Sequence, residues 1–128
     1  MPELSPEQIQ HVSGLGADFI RTERQNYAAR AVNVPPELRI QVNPFFRPYV
    51  LHSTRVVVIE NERVGNPEFY PELQALGFTN LPDFGGMSAI TFHDVIVSHK
   101  ALTPSLLFHE LVHIEQYSRL GVDRFAEL

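Results

Sequence analysis

The stretch MSAITFHDVIVSHK, residues 87–100, decides how this chain folds. Taken as one strand, it would be long and would set the polar pair His93-Asp94 in mid-sheet. Taken as a hairpin, SAITF pairs with VIVSH across a two-residue His-Asp turn whose geometry Asp tolerates, and this is the expected arrangement. Directly downstream, Thr103-Pro104 supplies a helix cap and a proline at the first helical position. These residues open TPSLLFHELVHIEQYSRLG, residues 103–121, a clearly helical segment.

Working back toward the N-terminus, VVVIE and its preceding arginine (55–60) form a β-branched run suited to an inner strand. NPEFYPELQALGF predicts a short helix ending at Gly77, followed by the loop TNLPDFGG. LRIQV (38–42) alternates like a strand, VNVPPEL before it breaks the chain, and NPFFRPYVLHS with its two prolines reads as an irregular excursion. Ser5-Pro6-Glu7 starts a helix expected to run to about residue 30. Ile9, Val12, Phe19, Ile20 and Tyr27 are its candidate buried stripe, and Gly14 and Gly16 should weaken or bend it. Helix, strands, hairpin and helix in series indicate an α+β fold: an N-terminal helix, a small mixed sheet of three to five strands with a hairpin, and a long helix packed across it.

The chain has 128 residues, a length that predicts one domain with a real core. Hydrophobic and charged contents of 44% and 20% are those of an ordinary globular protein. With a net charge of -5 and no Lys/Arg cluster, nucleic acid and anionic membrane surfaces are not expected partners. Cysteine is absent, so there is no disulfide, thiol nucleophile or thiolate site, and any metal must be held by histidine and carboxylate. MPELSPEQIQ is polar and acidic and does not read as a secretory signal, and no apolar run approaches membrane-spanning length. The expected location is cytoplasmic.

Within the long helix, His109, Glu110 and His113 stand in the order H-E-x-x-H. Chance would place this pattern about 0.02 times in a chain of this composition, so coincidence is a poor account. On a helix the two histidines lie one turn apart on one face and can converge on an ion. Leu107, Leu111, Val112 and Ile114 surround them with uncharged bulk. A buried histidine pair without partners is costly, whereas Zn²⁺ satisfies both rings. The chemistry implied is amide hydrolysis of a peptide or protein substrate. A zinc-activated water attacks the carbonyl, and Glu110 acts as general base. A strand edge just upstream could receive the extended substrate by main-chain pairing.

HELVH on a capped helix after a strand resembles the zincin metallopeptidases. The metzincin branch needs a glycine at position 116 and a histidine at 119, where this chain has Gln116 and Arg119; peptide deformylase needs a cysteine ligand, and there is none. HELVHIEQY resembles the small single-domain members of the gluzincin branch, the minigluzincins, over residues 103–120. That resemblance implies a zincin-like domain over residues 1–128. It also implies a third ligand, a glutamate on a following helix on the order of 18 or more residues past the second histidine, beyond Leu128. Within the chain, Glu127 is the candidate third ligand and Asp123 a weaker one. Gly121 can end the motif helix, with VDRFAEL beginning another. The expectation is therefore a C-terminally shortened chain whose site holds metal through His109 and His113.

Two further readings stand beside the peptidase. One is a latent metal-binding module with an incomplete zinc site. The other acts through protein association, a homo-oligomer formed on the hairpin edge or a bare helix face. Of the remaining residues, Gln116 is expected to hydrogen-bond a ligand histidine and Tyr117 to pack. Glu115, His11, His52, His93 and His99 are expected to be solvated. His99 could face the site as a substitute ligand or oxyanion donor, and the aromatic NPFFRPY could line a cleft or anchor a loop.

Overall fold

The computed structural model describes residues 5–126, apart from the side chains of Asp123 and Phe125. The first helix, α1 (Pro6–Ala28), is fixed by a capping box. The Ser5 hydroxyl accepts from the Gln8 amide at 3.1 Å, and the Gln8 side chain accepts from the Ser5 amide at 2.9 Å. Ala17 is buried along its inner face, Phe19, Ile20 and Tyr27 pack on the core, and Ile9 is 48% exposed, outside the stripe. After β1 (Val32–Asn33) come α2 (Pro36–Val42), a 3-10 turn (Asn43–Phe45) and α3 (Pro48–Ser53).

The strand expected at residues 38–42 is therefore a helix. Its alternation L-R-I-Q-V is also an i, i+4 pattern, with Leu38 and Val42 inward and Ile40 outward at 73% exposure. A strand with one buried face would have turned all three the same way. Pro36 at the helix start, with φ already helical, favours this outcome. Pro48 likewise starts α3, so the excursion read as irregular is mostly helical.

The four strands, β1, β2 (Arg55–Val58), β3 (Ala89–Phe92) and β4 (Val95–Ser98), form one mixed sheet in the order β1-β2-β4-β3. β2 is inner as expected, antiparallel to β1 and parallel to β4. The hairpin is present, with Phe92 opposite Val95 and Ala89 opposite Ser98. At its tip it is His93, with φ 60°, that takes the left-handed conformation; histidine is among the few non-glycine residues that enter this region. Asp94 instead accepts two hydrogen bonds from the Arg24 guanidinium, which ties α1 to the turn.

The short helix α4 (Tyr70–Ala75) precedes the hairpin, as expected. The last helix, α5 (Pro104–Ala126), begins under the Thr103 hydroxyl, which accepts from the Leu106 amide at 3.1 Å. It is broken at Gly121, whose φ of 77° and ψ of 167° lie where side chains with a Cβ are strained. Beyond the break, Ala126 closes on Gly16 of α1.

Because side chains alternate along a strand, the sheet builds a core on each face. Val56, Ala89 and Ile96 pack toward α5, meeting Leu107, Leu111 and Ile114. Ile90, Phe92, Val95 and Val97 form the opposite cluster, against Phe19, Ile20 and Tyr27 of α1. The architecture is α+β, with five helices and four strands among the described residues. No helix among them is long and apolar enough to cross a membrane.

Candidate functional site

Leu107, Leu111 and Ile114 point one face of α5 into the core, which turns His109, His113 and Gln116 to the adjacent outer face. Glu110 falls between the two faces and is brought against the edge strand β3. A cleft of about 580 Å³ opens there, running along β3 between α5 and α1. Its walls include Phe19 and Ile20 of α1, Phe84 and Met87 before the hairpin, residues 88–92, and His109, Glu110, His113 and Tyr117 of α5. All three members of the H-E-x-x-H motif thus face one space.

The two histidine rings stand nearly perpendicular, with centroids 5.2 Å apart. The His109 side chain is 70% exposed, and its Nε2 lies 3.8 Å from Oε2 of Glu110. His113 is anchored from behind, its Nδ1 lying 2.9 Å from Oε1 of Gln116. The amide oxygen accepts from Nδ1–H, an arrangement in which Nε2 is the nitrogen a metal would take. Gln116 is thus the hydrogen-bonder it was expected to be.

Glu110 is almost wholly buried. Its Oε1 accepts a 2.8 Å hydrogen bond from the Thr91 hydroxyl. Burial pushes its carboxyl above the ordinary 4.5; the Thr91 hydrogen bond and the two histidines oppose that shift without cancelling it. Tyr117 closes the cleft floor, its hydroxyl donating to the Thr91 carbonyl at 3.2 Å. Burial raises the pKa of that phenol, so it stays protonated as a donor.

The register leaves β3 with a free edge. Phe92 and Val95 flank the two-residue turn, and the His99 amide bonds the Ser88 carbonyl at 2.8 Å, so Phe92, Ile90 and Ser88 exchange main-chain hydrogen bonds with β4. By the same alternation, Ala89 and Thr91 direct their main-chain groups away from β4, toward the cleft.

Several expectations need revision. His99 is neither exposed nor in the cleft: it is buried, its Nδ1 lies 2.6 Å from the Met87 carbonyl and its Nε2 accepts from the Val64 amide at 3.1 Å, so it staples two loops. His93 is partly buried against the Tyr117 ring. Glu115 is not solvated; its side chain is 18% exposed and bound by both Arg47 and Arg119. That ion pairing holds its carboxyl below the usual range. His11 and His52 are exposed, as expected. Thr91 was missed, although a hydroxyl between Ile90 and Phe92 on a buried strand requires a partner.

Of the proposed ligands, His109 and His113 are brought together. Glu127 lies outside the described residues, as does the Asp123 side chain. Among the described residues no group of three or more His, Cys, Asp or Glu could hold a metal ion. The donors that are present, two imidazoles on one helical face with one ring held by an amide, could supply two of the three or four ligands a zinc ion takes.

Thr91→Val offers a direct reading of the carboxyl's surroundings. Losing the donor should push the Glu110 pKa further up and cost about 1.5–3 kcal/mol of stability at neutral pH, the range for hydrogen bonds to charged groups. Carbon-13 NMR titration of the carboxyl and denaturant unfolding would show both effects, and Thr91→Ser should restore the parent values. Comparisons of the chain with family models, with curated proteins and with solved structures return no match.

Proposed function

We propose that this chain is a zinc-dependent peptidase of the zincin type, resembling the minigluzincins, with His109 and His113 as metal ligands and Glu110 as general base. The observation that carries this reading is the placement of Glu110. A carboxylate is costly to bury, yet this one is held at the wall of a cleft by Thr91, with its second oxygen turned toward His109. A structural helix gains nothing from that arrangement, whereas a proton acceptor beside a water site requires it.

When bound, the ion supplies a Lewis acid that polarises a carbonyl and acidifies water. Glu110 takes one proton from the attacking water as its oxygen bonds to the scissile carbonyl carbon. It returns that proton to the leaving nitrogen as the C–N bond breaks, so the carboxylate is regenerated. The raised pKa of Glu110 suits both halves of this exchange. The main-chain groups of Ala89 and the amide of Thr91 offer an extended peptide a strand edge to pair with, and Phe19, Phe84 and Met87 offer its side chains apolar contact.

A second reading is supported by the same donors. With only two histidines converging among the described residues, the chain would be a latent metal-binding module that acts through association rather than turnover. Calorimetric titration with Zn²⁺ after chelation, run alongside cleavage of a quenched fluorescent peptide library, separates the two. One ion per chain, lost in His113→Ala, together with cleavage that chelator abolishes and Zn²⁺ restores, is the expected result. Binding without cleavage selects the latent module, and the absence of binding sinks both.

A further inference from the structure

On the other side of the histidines from β3, α5 carries a second hollow, of about 330 Å³, lined by Phe45, Phe46, Val112, Glu115, Gln116 and Arg119. We infer that this hollow binds the C-terminal residue of a peptide, with an apolar side chain on Phe45, Phe46 and Val112 and the free carboxylate on Arg119. Its link to turnover rests on the peptidase reading above.

The apolar half is unusual for a surface. Phe45 is 66% exposed and Val112 39% exposed. The rings of the wall are nonetheless packed on one another: Phe45 and Phe46 both meet Phe108 edge-on, at centroid distances of 5.4 and 5.1 Å. Exposed aromatic rings buttressed by a third ring are a ready contact surface for one apolar side chain.

The charged half supplies the complement. Arg47 grips Glu115 with two hydrogen bonds, at 3.1 and 3.0 Å, and also donates to Ser118. Arg119 reaches the same carboxylate through Nε alone, at 3.4 Å. Two guanidinium charges therefore share one carboxylate, which leaves one positive charge in excess at the rim. The Nη groups of Arg119, whose side chain is 74% exposed, make no hydrogen bond among the described residues. They form a planar donor pair suited to an incoming carboxylate.

The hollow also adjoins the candidate active site. Gln116, which lines it, holds Nδ1 of His113. A peptide anchored by its C-terminus in the hollow would pass over Gln116 and enter the cleft beside His113 and Glu110. The carboxylate anchor would therefore select short peptides, or the last residues of longer ones.

The test is an NMR titration of chelator-treated, 15N-labelled protein, so that no cleavage intervenes, with acetyl-Ala-Ala-Phe and with its C-terminal amide. The acid should bind about tenfold tighter or more than the amide, the range a charge-assisted pair supports. Its shifts should centre on the amides of residues 45, 46, 112 and 119. Arg119→Gln, at an exposed position, should keep the parent melting temperature and erase the preference, and Phe45→Ser should weaken both ligands. Equal binding of acid and amide, shifts centred elsewhere, or a preference that survives Arg119→Gln would each overturn the inference. Zinc titration and cleavage are measured apart. An acid preference without hydrolysis removes the peptidase reading alone, and hydrolysis without the preference removes this one alone.

Discussion

Glu110→Gln should reduce peptide hydrolysis by about 10²–10⁴-fold, the contribution typical of a positioned general base, while His109 and His113 continue to bind Zn²⁺. Glutamine keeps the shape and can still accept from the Thr91 hydroxyl, so the variant separates proton transfer from packing. It should also be more stable than the parent when metal-free at neutral pH. The carboxyl of Glu110 has a pKa raised by burial, so the folded protein holds this proton at pH values where the unfolded chain has released it. Stability contributed by this group is therefore present below the ordinary carboxyl range near 4.5 and is lost as pH rises through the higher folded value. A neutral amide has no such loss. Thermal unfolding of parent and variant from pH 4 to 8 should give curves that diverge as pH rises, with the variant the more stable. Parent-like cleavage by the variant would remove Glu110 as the base. A variant less stable at neutral than at acid pH, relative to the parent, would contradict the raised pKa.

Leu111→Ala should destabilise the fold by about 2–5 kcal/mol, a large share of the 5–15 kcal/mol typical of a domain. Leu111 is fully buried, as is Leu107 one turn earlier, and both pack in the cluster containing Val50, Val56 and Ile96. Removing its side chain leaves a cavity between α5 and the sheet that neighbouring β-branched side chains cannot easily refill. The consequence extends to the site, because the face that Leu107 and Leu111 bury also sets the direction of His109 and His113. Urea unfolding measures the first effect and zinc calorimetry the second. Val112→Ala, at a half-exposed position two residues from Glu110, should cost well under half as much. Equal losses at the two positions would show that α5 is not packed as described.

The helices α1 and α5 and the hairpin were legible because their signals are local. Ser5-Pro6 and Thr103-Pro104 are caps, and 88–99 has two short apolar arms around a polar pair. Residues 38–42 are ambiguous because five alternating residues satisfy the strand period and the i, i+4 helical pair at once; what decides is Pro36 and the outward turn of Ile40. The histidine pair was legible for the same local reason, since spacing along one helix fixes it. Thr91, the partner of Glu110, was not, because it is brought to α5 by the placement of β3 beside the helix, a contact across 19 positions of chain. Nothing local marks Glu115 as ion-paired, because its cation Arg47 lies 68 positions away. Local chemistry thus shows which residues can act, and long-range packing determines what surrounds them.

The ties of α1 bear on how the chain assembles. Its Arg24 is bound to Asp94, 70 positions later, and its Gly16 meets Ala126. Synthesis from the N-terminus makes this helix well before the hairpin and α5 that it docks against. The contacts of Phe19 and Tyr27 with Phe92 can then form only once the hairpin is made, which makes α1 a late-docking element. Because α1 also supplies a wall of the cleft, the cleft should become complete only in the final step of folding.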